Sequence, residues 1–214
     1  MKSSFVSPII NSILVALLVV PVAAGSRTTE DKFLKEVMLE KKTVNGEPLY
    51  HYIDNIFLSF DRHIEGSEKD YGARLFVLRV TTGSSKVTYY SRGSFDSYFL
   101  RPSFFSADIK LDPLLILAEV GTEYSWGARV FLVSPDGSAK DLGSLNVAVI
   151  EDPEADTVSV IPHTRIKFDG NRYEFTFTKN VIFNPGGLDD QAVSRDKIKY
   201  VYDGSSLKCI KAGK

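Results

Sequence analysis

The chain has 214 residues, with 26 Lys and Arg against 27 Asp and Glu, for a formal net charge of -1. A balance so close to neutral gives no electrostatic reason for nucleic acid or an anionic membrane to hold the chain as a whole. The single cysteine, Cys209, rules out an intramolecular disulfide, so the fold has to rest on packing.

Residues 1–25 have the form of a secretory signal peptide. Lys2 supplies a short positive region, Ile9 to Val20 an apolar one, and Val22-Ala23-Ala24 the small residues that a signal peptidase requires. The apolar run from Ile13 to Val20 is shorter than the ~20 residues that span a bilayer, so no integral membrane span is expected after cleavage. Residues 26–214 then form a single β-rich globular domain. With export come no possible disulfide and no Asn-x-Ser/Thr after the signal, which together point to a bacterial periplasmic or secreted protein.

From Thr28 to Lys42, the near-helical spacing of Phe33, Leu34, Val37 and Met38 predicts a short helix. A second helix is predicted from Pro48 to Arg62. There Leu49, Tyr52, Ile53, Ile56, Phe57 and Phe60 recur at i, i+3, i+4, i+7, i+8 and i+11, although Asn45-Gly46 is also a strong hairpin signal. Beyond a polar loop, strands are predicted at Arg74 to Thr81, Lys86 to Arg92, Phe95 to Leu100 and Phe104 to Leu111, the last two parted by Arg101-Pro102.

The stretch Leu114 to Ile150 holds three apolar runs separated by Gly-Thr-Glu-Tyr-Ser and by Pro-Asp-Gly, the pattern of an antiparallel meander. Its middle run places Trp126, Ala128, Val130 and Leu132 on one side and Arg129, Phe131 and Val133 on the other. Both sides are largely apolar, which requires a sheet covered on both faces with Trp126 and Phe131 in the core. After an acidic loop, Glu151 to Asp156, come two more hairpins, turning at Asp169-Gly170 and Asp203-Gly204. The Asp-Gly turns at 136, 169 and 203 raise the question of a repeated unit, but their flanking side chains do not repeat. The fold class is therefore mainly β, an antiparallel meander or sandwich-like sheet with one or two N-terminal helices; a β-rich α+β fold is the variant.

Chemistry-bearing motifs are few. Ser205-Ser206-Leu207-Lys208 matches Ser-x-x-Lys but falls in a hairpin turn, where turn chemistry accounts for it. His51, His63 and His163 are far apart and in no metal-ligand spacing, and Asp152, Glu154 and Asp156 lack the frame of a calcium loop, so no cofactor or metal is expected. Cys209 alternates with apolar residues and is expected to be buried.

The unusual composition is Tyr89 to Phe105, where seven aromatics share seventeen residues with Arg92, Asp96 and Arg101. Most of these rings are expected in the core. Tyr98, Arg101 and Phe104 at its far end are the candidate ligand-binding residues, for a protein or glycan of the cell envelope. The function expected is an exported, non-enzymatic binding or envelope accessory protein. The alternative is a secreted or periplasmic hydrolase acting on glycan or peptide through two carboxylates drawn from Asp61, Glu65, Asp96, Glu119 and Glu123.

Overall fold

The structure, a computed structural model, describes residues 32–44, 46–60, 63–64, 70–151, 156–170 and 172–212. The signal segment, Asp61, Glu65 and most of the acidic loop lie outside the described residues. Among the described residues there is no α-helix, and none is long and apolar enough to cross a membrane.

Both predicted N-terminal helices are overturned. The chain is extended through β1 (Lys32–Phe33), β2 (Lys35–Val37), β3 (Glu40–Val44), β4 (Glu47–Ile53) and β5 (Ile56–Ser59). β3 and β4 pair antiparallel with Val44 opposite Glu47, so the Asn45-Gly46 hairpin signal prevails. The helical spacing misleads because this sheet is apolar on both faces: Leu49 and Phe57 pack on one side, while Tyr52, Ile56, Leu58 and Phe60 pack on the other. When successive residues are all buried, strand alternation leaves no polar phase, and the aromatic and β-branched content decides for strand.

Next come the short pair β6 (His63–Ile64) and β7 (Gly72–Ala73), then β8 (Phe76–Thr81) and β9 (Ser84–Tyr90), which complete a first sheet of order β3-β4-β5-β8-β9. The meander follows as β10 (Phe99–Ser106), β11 (Leu114–Gly121), β12 (Ser125–Val133) and β13 (Ala139–Leu145), in a second sheet of order β13-β12-β11-β10-β2. Here the predicted break at Arg101-Pro102 is corrected: one strand runs straight through it, with Pro102 opposite Ala118. β2 flanks β10 only from Phe104 to Ser106, so Pro102 lies on a stretch of β10 paired on one side only, as an edge position that tolerates proline.

The remainder is β14 (Val147–Ala148), β15 (Thr164–Phe168), β16 (Tyr173–Phe177), β17 (Val181–Phe183), β18 (Gln191–Val193), β19 (Ile198–Tyr202) and β20 (Leu207–Lys211). These give a third sheet, β1-β15-β16-β19-β20, and a small one, β14-β17-β18. The Asp169-Gly170 and Asp203-Gly204 hairpins share the third sheet, whereas Asp136-Gly137 turns within the second, so the three are not copies of one unit.

The meander is the middle layer, and its two faces build two cores. Leu115, Leu117, Ala128 and Val130 pack with Ile166, Phe175 and Tyr200 of the third sheet. Ile116, Ala118, Phe131 and Val133 pack with Ile56, Leu58 and Val77 of the first. Each large side chain so buried contributes roughly 1.5–3 kcal/mol. The two-sided apolar pattern of β12 thus foretells its position, with Trp126 as the exception.

Candidate functional site

The β11–β12 ladder pairs Val120 with Gly127 and Gly121 with Ser125, which leaves Trp126 as an extra residue with no partner on β11. This is a β-bulge, and a bulge re-aims the side chain it carries. Gly127 makes it possible. It sits at φ +123, and a Cβ there would lie 2.1 Å from the Leu145 carbonyl oxygen, so no L side chain fits without moving backbone. Trp126 is therefore partly exposed and does not follow Ala128 and Val130 into the core, a correction to the alternation read from sequence. Its ring meets that of Tyr124 edge-on at 6.4 Å between centroids.

Two cavities adjoin at Trp126. The first, of about 370 Å³, is lined by Tyr124, Trp126, Asn146, Asn184 and the Pro185-Gly186-Gly187 turn. That turn is held by Asn184 N–H donating to the Asn146 carbonyl at 2.9 Å and by Gly187 N–H donating to the Asn184 carbonyl at 3.0 Å. A Cβ on Gly186 would meet the Tyr124 hydroxyl at 2.9 Å, so glycine lets the turn close against that ring. Two rings and two carboxamides on one wall offer stacking faces beside paired donors and acceptors.

The second cavity, of about 270 Å³, lies between Trp126 and the segment 92–95, with Arg129, Asp141 and Ser144 on its other side. Arg129 donates to the Arg92 carbonyl and to the Asp141 carboxylate, and its guanidinium lies 4.9 Å from the centre of the Phe131 ring. The 92–95 segment is braced from below. Asp70 accepts the Gly93 N–H at 2.8 Å, a bond that holds its carboxyl below the usual carboxylate range, and Arg74 beside it acts in the same direction. Ser94 N–H donates to the Ala73 carbonyl at 2.9 Å and Phe95 N–H to the Tyr71 carbonyl at 3.0 Å. Tyr71 donates its hydroxyl to Asp96, which pushes the Tyr71 phenol up.

The three residues singled out from sequence are not brought together. Tyr98 is 76% exposed, and its N–H donates to the Gly121 carbonyl at the base of the turn that carries Tyr124 and Trp126. Arg101 is exposed, stands opposite Glu119 on β11, and lies with its guanidinium 4.0 Å from the centre of the Phe99 ring. Phe104 is buried, packed against Tyr50 at 5.1 Å and Phe60 at 6.1 Å, and is corrected from ligand surface to core. The reason is parity: Arg101 and Phe104 are three residues apart on one strand, which puts them on opposite faces. None of the three lines the Trp126 cavities.

Cys209 is exposed on β20, the edge strand of the third sheet; the expectation of a buried thiol is corrected. The Ser-x-x-Lys stretch is turn chemistry as expected. Asp203 Oδ1 accepts from Ser205 N–H, the Ser205 hydroxyl and Ser206 N–H, while Lys208 Nζ lies 2.7 Å from Oδ2. Among the described residues no group of three or more His, Cys, Asp or Glu is placed to hold a metal ion. Of the candidate acids, Asp96, Glu119 and Glu123 are described, and none lines either Trp126 cavity.

The residues that sequence reasoning missed are Tyr124, Asn146 and Asn184, together with the outward turn of Trp126. The available signal was Gly121 and Gly127 bracketing two aromatics, since a glycine inside a strand often marks a bulge. Compared with known protein families, curated proteins and solved structures, the chain matches none of them.

Proposed function

We propose that this chain is an exported, non-enzymatic binding module whose ligand, a glycan or peptide of the cell envelope, lies across Trp126. The observation that carries this reading is the bulge that takes the ring out of the core and sets it between two cavities, one with carboxamides and the other with charged groups. Turning out a tryptophan forfeits burial of a large apolar side chain, and a stacking partner for a sugar ring or a peptide group recovers it. Tyr98 and Arg101 flank the turn and extend the surface along which a chain-like ligand runs. A hydrolase working through paired carboxylates needs two acids in one cleft. The cavities at Trp126 contain one, Asp141, and it is paired with Arg129.

Trp126 is the chain's only tryptophan, so intrinsic fluorescence reports this site alone. Titration with cell-wall fragments, neutral oligosaccharides and short peptides is expected to shift its emission saturably, and Asn184→Ala or Tyr124→Ala is expected to weaken the response. If no such ligand changes the emission while the protein stays folded, the reading falls.

A further inference from the structure

A third cavity, of about 390 Å³, opens on the third sheet and shares no residue with the two at Trp126. Four cations, Arg165, Arg195, Lys197 and Lys199, line it against two acids, Glu174 and Asp196, a formal surplus of two positive charges in a protein whose total is -1. Two of the cations are already engaged. Lys199 Nζ lies 2.9 Å from the Glu174 carboxylate, which also takes Arg172 at 3.2 Å. Arg195 donates to the Thr178 carbonyl at 2.9 Å, with its Nε 3.6 Å from Asp196.

Arg165 and Lys197 have no side-chain hydrogen bond or ion pair among the described residues, and both are exposed. They come from different elements. Arg165 is on β15, directly opposite Thr176 on β16, and Thr176 lines the same cavity; Lys197 ends the short turn Arg195–Lys197 that leads into β19. A planar guanidinium matches two oxygens of a tetrahedral oxyanion, and an ammonium supplies a point charge for a third.

We propose that this cavity is a binding site for a phosphate group, held by Arg165 and Lys197. A phosphate monoester carries about -1.5 to -2 charge at neutral pH, which matches the surplus, whereas a carboxylate would leave half of it unneutralised. The phosphate belongs either to a soluble ester or to a lipid headgroup.

The test is a titration of the purified protein with inorganic phosphate at constant ionic strength, followed by amide and arginine side-chain NMR shifts. Saturable shifts at Arg165, Thr176 and Lys197 are expected. Affinity should fall about tenfold or more in Arg165→Gln and in Lys197→Gln, since each removes a charged hydrogen-bond donor. Trp126→Ala should leave it unchanged. Because both cations are exposed, circular dichroism should show these variants folded. Shifts that never saturate, or an affinity unaltered by both substitutions, overturn the site. Phosphatidylcholine vesicles with and without phosphatidic acid separate the two sources. Co-sedimentation that needs phosphatidic acid and is lost in Arg165→Gln assigns a headgroup; phosphate binding without co-sedimentation assigns a soluble ester.

Discussion

Arg129 on β12 is ion-paired with Asp141 on β13, and the pair forms one wall of the cavity beside Trp126. The Arg129 side chain is 11% exposed and that of Asp141 29%, so the cation is largely out of water and depends on its partner. Asp141→Ala leaves a largely buried guanidinium with the Arg92 carbonyl as its one remaining hydrogen-bond acceptor among the described residues, beside the Phe131 ring. Such a loss costs about 3 kcal/mol where burial is deep, and somewhat less for a pair with water at its edge. A urea midpoint that drops by the equivalent of ~2 kcal/mol is expected, with most of it recovered in the Arg129→Met/Asp141→Leu double variant. A change under ~0.5 kcal/mol would mean the pair is no more than a surface contact.

The bulge at Trp126 depends on Gly127. Gly127→Ala places a Cβ against the Leu145 carbonyl at a φ that L residues rarely adopt, which is expected to cost about 1–3 kcal/mol and to shift the emission of Trp126. Alanine tolerated with unchanged stability and unchanged emission would show that the bulge does not need glycine.

The middle sheet separates the two cores, and that separation can be measured. Ile116→Val on the side of the first sheet and Ile166→Val on the side of the third should each cost about 0.5–1.5 kcal/mol. The two sites share no partner, so the double variant should equal the sum within ~0.5 kcal/mol. A larger coupling energy in denaturant titrations would contradict three stacked layers.

Alkaline pH offers a third test of packing. Burial pushes the Tyr52 phenol up to about 12, and it pushes Tyr173 and Tyr200 up as well. The folded state favours the neutral form of these groups, so their contribution is complete below the ordinary tyrosine value near 10 and is lost as pH rises from about 10 towards 12 and above. Near-ultraviolet phenolate absorbance measures this directly. Tyr52, Tyr173 and Tyr200 should ionise only as circular dichroism is lost. Ionisation of all ten tyrosines in one step near pH 10, with the fold intact, would refute the burial.

Several elements are legible from local pattern along the chain. The β11–β12–β13 meander and the hairpins at Asp169-Gly170 and Asp203-Gly204 stand where turn residues and apolar alternation put them, because both signals are local. The both-faces-apolar pattern of β12 also announces a covered middle sheet. The candidate site is legible only in part. Tyr98 and Arg101 do reach the surface, but Phe104 does not, and strand parity within β10 is hidden when Arg101-Pro102 is read as a turn.

By itself, the sequence determined a disulfide-free, β-rich chain of near-neutral charge with its central meander in place, since composition and nearest-neighbour turn chemistry suffice for that. Tertiary structure alone decided that Leu49 to Phe60 form two strands, that Pro102 lies where β2 does not reach, and that Trp126 turns outward. Each of these outcomes rests on a partner distant in sequence: the sheet covering each face, the length of β2, and the Leu145 carbonyl pressed against Gly127. Periodicity along a chain records which residues are apolar, but the side on which each is covered is settled by the strands that come to lie beside it.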